Sequence, residues 1–475
     1  MLEEELVQLV NKITSQKCEK QHIELKKALG GTPTKLYDTL SSFSNQIGGG
    51  IIVFGIDEDA GYEAVGVYDA QDLQKKVVEQ SLQMEPVVRP LFTVATVKEK
   101  IVVSAEISEC DIYDKPCFYK GAGRLRGSFV RVGDSDQPMT EYEIYSYEAF
   151  KRRIHDELRT VDRATMAYLK KDNMTEYLLK LRRQKNNLAN LEDQRILETQ
   201  GISQDGLPTL AGLMLLGEYP QEFFPQLSVT AMVVQGKEMG ELGDDGERFV
   251  DNKRIEGTIS QMLESTLAFV RRNMKVKTIV TEEGMRADKP EFPIKAVREI
   301  ILNALIHRDY SVHTERSPIR LVMYEDRLEL ENPGGLYGRI TVDDLGKAAA
   351  DTRNPYLAGA LEIMIDTENR FSGIPTVIAE LKKANMPAPV FIDRRGAFKV
   401  IFYKKTIVQD KSADLAQEII SYCRTPRTRE ELAEQFEFET PSYFIKTYLY
   451  PLIQAGKIKM SLPDKPKSKY QKYFS

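Results

Sequence analysis

The chain has 475 residues, a net charge of −5, 29% charged and 42% hydrophobic residues, and no tryptophan. That length exceeds what one hydrophobic core serves and implies three or four units, while the composition excludes a disordered or fibrous chain. The negative charge excludes a globally cationic nucleic-acid binder, so any such contact has to come from local basic surfaces.

The opening, Met1 followed by Leu-Glu-Glu-Glu-Leu, has neither the basic start nor the apolar stretch of a secretory signal. The longest apolar run, Leu207 to Gly217, falls far short of the roughly 20 residues that span a membrane. Cys18, Cys110, Cys117 and Cys423 form no Cys-x-x-Cys pair, which points to reduced thiols. The expectation is a cytoplasmic chain with no membrane partner.

In chain order, residues 4 to 47 predict two helical stretches. Gly48-Gly49-Gly50 then leads into an apolar run, Ile51 to Ile56, that reads as a buried strand. Further strands are expected at Leu91 to Val97, Ile101 to Ile107 and Ser128 to Val132. This first α/β unit, 1–138, closes near Pro138. Residues 139–206 carry long charge-laced helices and read as a connector with no visible chemistry. Residues 207–405 contain a packing unit with a strand at Leu227 to Val234 and an amphipathic helix near Ile255 to Asn273. A second α/β region, Phe292 to Lys405, follows, with a helix from Pro293 to His307, a hairpin at Glu325-Asp326 and a closing strand at Ala397 to Tyr403. The last unit, 412–475, has three short helices and a basic hairpin, the order of a winged helix-turn-helix. The expected fold class is multidomain α/β.

Glu19 and Glu24 flank the segment entering Leu25-Lys26, and Asp57 follows the strand 51–56, the end at which an α/β sheet carries function. Three carboxylates converging there require a neutralising cation, and hard oxygen ligands suit magnesium or manganese. Such a metal can position water for phosphodiester cleavage. The plain alternative pairs Glu19 and Glu24 with Lys20 and Lys26 on a surface helix and leaves Asp57 to cap a turn.

The ordered motifs Glu19-Lys-Gln-His-Ile-Glu24-Leu-Lys26, Ser41-Ser-Phe-Ser-Asn45, Gly48-Gly-Gly50, Phe54-Gly-Ile-Asp57, Gly61, Val65-Gly66, Lys115-Pro116 and Phe129-Val-Arg-Val-Gly133 resemble the Schlafen AlbA-like domain. The resemblance implies nucleic-acid binding. In nuclease members of that family two glutamates and a later aspartate form a metal-dependent RNA-cleaving site, and Glu19, Glu24 and Asp57 fall on those positions, with Asp59 as a substitute for the last. Lys26, Lys35, Arg124, Arg126 and Arg131 are candidate phosphate contacts.

Glu299, Asn303 and His307 recur every four residues along one helical stripe. The stretch Ala296 to Ser311, with Tyr324 to Gly335 and Arg353-Asn354-Pro355, resembles the GHKL-type ATPase-like domain of bacterial regulators, an α/β sandwich. The resemblance implies an ATP site using Glu299, Asn303, Glu331, Gly335 and Gly373. Two departures argue against hydrolysis. Glu331-Asn-Pro-Gly-Gly335 stands where an aspartate reads adenine, and Arg370-Phe-Ser-Gly373 stands where a Gly-x-Gly loop cradles phosphate. A structural or dimerising role is the alternative, with a homo-oligomer expected.

After Gly456 six lysines, among them Lys465, Lys467 and Lys469, face one acid, Asp464, with Tyr470 and Tyr473 between them. That tail suits a phosphate backbone. Winged helices also serve as protein-protein modules. Two functional classes therefore stand: a metal-dependent endoribonuclease acting on tRNA-like substrates in defence or stress, and a non-catalytic DNA-binding transcriptional regulator with a ligand-sensing or dimerising second domain.

Overall fold

The computed structural model describes residues 1–241, 246–280, 286–347, 351–365, 373–394 and 396–404. Beyond these it describes 418–428, 431–432, 435–436, 449, 452–453, 457–461 and 471–475. The chain divides into two compact units, Met1–Phe402 and Tyr403–Ser475.

The first α/β layer is built from α1 (Glu3–Gln16), β1 (Ile23–Lys26), α2 (Tyr37–Asn45), β2 (Gly50–Phe54), α3 (Ala70–Ser81), β3 (Leu91–Val97) and β4 (Lys100–Ile107). The sheet order is β1-β2-β4-β3, with β1 parallel to β2 and the other pairs antiparallel. Strand periodicity assigns the faces. Ile23, Leu25 and Val53 pack with Leu6, Val10 and Ile13 of α1. Ile52 and Phe54 pack on the other side with Leu40 and Phe43 of α2. Glu24 and Lys26, alternating with Ile23 and Leu25, therefore face the α2 side. The sequence expected a second helix to follow closely on the first. The structure places strand β1 between them, because alternating Ile23 and Leu25 have an apolar face to fill. The hairpin β5 (Phe129–Val132) and β6 (Ser135–Pro138) closes this domain, with Arg131 opposite Asp136.

Helix α4 (Glu141–Arg152) starts three residues later, where the Thr140 hydroxyl accepts the Glu143 N–H and the Glu143 side chain returns to the Thr140 N–H. Further helices at Lys171–Gln184, Asp193–Thr199 and Leu210–Leu216 lead to a six-stranded sheet. Its strands and helices are β7 (Val229–Val233), β8 (Asp251–Ile255), α5 (Ile259–Asn273), α6 (Ile294–His307), β9 (Ile319–Met323), β10 (Arg327–Pro333), α7 (Pro355–Ile365), α8 (Gly373–Lys383), β11 (Val390–Arg394) and β12 (Ala397–Tyr403). The order is β8-β7-β9-β10-β12-β11. The region expected to be a packing unit ahead of the second α/β region supplies two strands of the same sheet, β7 pairing in parallel with β9. Ile259, Leu263 and Phe269 of α5, Val297, Ile300 and Ile301 of α6, and Leu321, Leu328 and Leu330 of the sheet share one core.

In the second unit Ile419, Cys423, Leu432, Leu449, Ile458 and Tyr473 form a core, and Lys459–Met460 pairs with Tyr473–Phe474. Most of the expected recognition helix, and Lys465, Lys467 and Lys469, lie outside the described residues.

The connector does carry chemistry. Glu157 is fully buried and accepts the N–H groups of Tyr356 (3.1 Å) and Leu357 (2.9 Å), two first-turn donors of α7. Burial pushes its carboxyl up to about 7, against the pull of those two N–H groups. A folded pKa above the unfolded one means that folding retains a proton, so stability is fullest below about pH 4.5 and falls as pH rises towards 7. Chemical denaturation of the wild type and E157Q at pH 5 and pH 8 should show the wild type losing on the order of 3 kcal/mol more than the variant between those values. Parallel curves for the two proteins would contradict this assignment.

Candidate functional site

The first polar cluster forms where β1 meets the β5–β6 hairpin. Arg131 is 4% exposed, its guanidinium lying over the Phe43 ring with the carbon 5.3 Å from the centroid. Its Nη2 meets Glu24 Oε2 at 2.7 Å and Glu19 Oε2 at 3.6 Å, and donates to the Ile23 carbonyl at 3.2 Å. Its Nη1 meets Asp136 Oδ1 at 3.0 Å. Asp136 is held in turn by the hydroxyls of Thr39 (2.7 Å) and Ser42 (2.5 Å) of α2. Lys26 adds a second cation to Glu24. Glu19 Oε1 accepts the Leu25 N–H at 2.7 Å. Burial pushes the Glu19 carboxyl up to about 7, aided by the negative charges of Glu24 and Glu58 and opposed by the Leu25 N–H and Arg131.

Asp57 goes elsewhere. Gly55, at φ +95°, breaks the strand, and Asp57 lies on a two-residue strand, Ile56–Asp57, paired with Glu63–Ala64. Its carboxylate takes Lys27 Nζ at 2.6 Å, and that hydrogen bond holds its pKa below the ordinary carboxylate range. The acid that acts on Glu19 beside Glu24 is Glu58. Two of the three expected metal ligands are thus brought together, and they already share a buried guanidinium. Among the described residues no group of three His, Cys, Asp or Glu side chains is placed to hold a metal ion. Arg131 stands against the carboxylates of Glu19 and Glu24 that the sequence assigned to a metal.

Arg131 is correspondingly a buried counter-ion and not the phosphate contact that the sequence suggested. Lys26 is half-buried on Glu24, Arg124 pairs with Glu148 and lies against the Phe118 ring, and Arg126 is exposed. Lys27, Lys35 and Lys120 are also exposed on this domain.

The second site is a cavity of about 420 Å³ between α6 and the six-stranded sheet. Asn303 of α6, Gly335 and Gly373 line it, as the sequence expected. Gly373 packs so closely that a Cβ there would lie 2.9 Å from the Asn303 amide nitrogen. Glu299 sits one turn back on α6, half-buried and outside the cavity wall, with burial raising its pKa. Glu331 does not belong to the cavity. Period-2 alternation along β10 sends Leu330 and Asn332 inward and Glu331 to the opposite face, where it pairs with Arg320 and with Lys399 at 3.3 Å. Asn332 is the wall residue that sequence reasoning missed, and the same alternation identifies it. His307, an exposed residue at the end of α6, also lines the cavity. Phe371, which stands in Arg370-Phe-Ser-Gly373 in place of a glycine of the phosphate loop, lies outside the described residues.

The fold and these two sites define a multidomain α/β protein with a small mixed-sheet domain joined to an ATPase-like sandwich. Residues 19–140 match the family model described as "Schlafen, AlbA_2". Residues 316–402 match HATPase_c_4, "Putative ATP-dependent DNA helicase recG C-terminal". The chain thus carries a Schlafen AlbA_2 domain and a GHKL-like ATPase-type domain. Residues 417–474 match "Filamentation induced by cAMP protein Fic-like, C-terminal domain". Among solved structures, the DIP2311 protein of Corynebacterium diphtheriae is 18% identical, with 94% of this chain and 92% of that one covered and a TM-score of 0.40. The N-terminal domain of the "Putative ATP-dependent DNA Helicase RecG-related Protein" of Nitrosomonas europaea is 26% identical over 28% of this chain and 92% of its own, with a TM-score of 0.23. No curated protein matches the chain. No helix among the described residues is long and apolar enough to cross a membrane.

Removing one member of a buried ion cluster leaves the others uncompensated. R131M should therefore lower the unfolding free energy by roughly 3–5 kcal/mol, measured by urea denaturation, and adding E24Q to it should recover part of the loss. An R131M midpoint equal to that of the wild type would mean that the cluster carries no weight in the fold.

Proposed function

We propose that this chain is a nucleic-acid-binding protein whose AlbA_2 domain works without a metal and whose ATPase-like domain holds a purine nucleotide as a controlling ligand. The observation that carries the first clause is the sharing of buried Arg131 by Glu19 and Glu24. With both carboxylates facing Arg131 from inside, the exposed cations Lys35, Lys120 and Arg126 are left to meet a phosphate backbone. The second clause is supported by the HATPase_c_4 match and by a cavity that combines apolar walls with Asn303, Asn332, Lys347 and His307. The bound nucleotide would supply charge and a flat base to this cavity. Asn303 and Lys347 are the polar residues that would hold it.

One observation favours a second reading, a metal-dependent endoribonuclease. Burial, and then the charges of Glu24 and Glu58 beside it, push the Glu19 carboxyl up to about 7, and added positive charge would relieve it.

Fluorescence anisotropy with tRNA, single-stranded DNA and duplex DNA, in chelator and in manganese or magnesium, separates the two. Binding should persist in chelator, weaken steeply between 50 and 200 mM salt as roughly 10³-fold changes do for multi-phosphate contacts, and leave the nucleic acid uncut. RNA cleavage that needs metal and disappears in E24Q would replace this reading with the nuclease. No binding to any of the three nucleic acids would remove both.

A further inference from the structure

Tyr337 follows Gly334-Gly335 and lines two spaces at once. On one side is the large cavity, and on the other a smaller one of about 10 Å³, walled by Tyr145, Ser146 and Ala149 of α4 and by Arg353. Among the described residues Tyr337 alone lines both. Its half-buried ring is therefore a partition, held by the nearly perpendicular Phe150 ring at 5.4 Å and by the Arg353 guanidinium at 5.1 Å. Phe150 is 8% exposed and also meets Tyr113 of the AlbA_2 domain, with centroids 5.1 Å apart. Close-packed interiors resist the shift of a ring, but the small cavity leaves about the room of one water behind this one. Gly335 and Gly338, the latter at φ +79°, bound the stretch that carries it, and glycine gives a backbone freedom to move. The same stretch reaches the AlbA_2 domain again at Arg339, whose pKa is raised by Asp351 and further by Tyr113 and Asp111.

We propose that Tyr337 is a movable partition through which the AlbA_2 domain senses whether the large cavity is filled. This rests on the reading of the cavity as a nucleotide site. A nucleotide seated against the partition shifts the ring towards α4, Phe150 follows, and the loop that carries Tyr113 is repositioned. A ligand moves such an equilibrium only by binding one position better than the other, and Tyr337, as cavity wall, is within its reach. The second link from α4, the Tyr142 hydroxyl on Asp309, is not, since Asp309 borders the small cavity and not the large one. By linkage, a nucleic acid that prefers one position of the loop and the nucleotide alter one another's affinity by the same factor.

The chain has no tryptophan, so Y113W, at a position 45% exposed, places a single emitting indole at the AlbA_2 end of the stack. The test is titration of full-length Y113W, Y113W/F150L and Y113W/Y142F with ADP, following tryptophan emission. Calorimetry gives the ADP affinity of each, and thermal melts confirm that each is folded. The emission of Y113W should change along a curve with the calorimetric Kd. Y113W/F150L should bind ADP within about threefold of Y113W and lose the change in emission, while Y113W/Y142F should keep it. ADP binding with unchanged emission in Y113W, or a response that survives F150L or vanishes with Y142F, would overturn the partition and leave the nucleotide site standing. If ADP binds neither the folded wild type nor folded Y113W, the nucleotide reading fails and this inference falls with it.

Discussion

The ATPase-like domain and its attachment to the rest of the chain depend on the ion pair between Asp309 and Arg353, 3.3 Å apart and both less than a tenth exposed. Burial alone would raise the Asp309 pKa, but Arg353, the Ser311 N–H (2.8 Å) and the Tyr142 hydroxyl (2.7 Å) outweigh it and hold the carboxylate charged. Arg353 Nη2 donates onward to the Gly335 carbonyl at 3.1 Å, and the guanidinium lies over the Tyr337 ring. The next residue, Asn354, donates to the carbonyls of Ile306 (2.7 Å) and Arg308 (2.8 Å) and so satisfies acceptors at the end of α6. The pair fixes the backbone beside it as well. Gly334 has φ +98°, and a Cβ there would lie 2.6 Å from that of Asp309. One tripeptide, Arg353-Asn354-Pro355, thus holds the cavity loop, closes α6 and opens α7.

The two polar sites differ in what surrounds them. Around Arg131 each charge has a counter-charge or a fixed donor: Glu24 and Glu19 on Nη2, Asp136 on Nη1, and the Thr39 and Ser42 hydroxyls behind Asp136. Such a cluster is held by charges and donors of the protein itself, and its geometry serves rigidity. In the cavity wall, Asn332 keeps an amide oxygen that the protein does not satisfy.

The layered architecture was legible because it follows from periodicity. Leu91 to Val97 and Ala397 to Tyr403 are strands over the expected residues, and the polar stripe of α6 does put Asn303 at a cavity. Chemistry was less legible where it depends on which face a residue takes. Glu331 was expected at the nucleotide because it opens the Glu-Asn-Pro-Gly-Gly motif, yet one step along a strand reverses the face, and Asn332 is the residue that arrives. Glu19, Glu24 and Asp57 read as a trio because an acidic motif does not reveal its counter-ions. Arg131, more than a hundred residues away, and Lys27 decide their charge environment. Glu157 was invisible for the same reason, since the helix that it caps begins almost 200 residues later.

Helix α4 is where these long-range contacts meet. Tyr142 in its first turn reaches Asp309, while Phe150 near its end lies between Tyr113 of the AlbA_2 domain and Tyr337 of the cavity wall, with ring centroids 5.1 and 5.4 Å away. The sequence reads this stretch as a solvated connector because its charged residues outnumber its aromatic ones. Its buried face is made of Ile144, Ala149 and Phe150, with Tyr142, Tyr145 and Tyr147 half-buried beside them. A linker that only spaced two domains would need neither a hydroxyl on a buried carboxylate nor a ring against each partner. The helix instead completes the polar shell of Asp309 and covers Tyr337, so the cavity domain has its full set of contacts only with α4 in place. That dependence is why Met1–Phe402 forms one compact unit and does not divide at the boundary between its two matched domains.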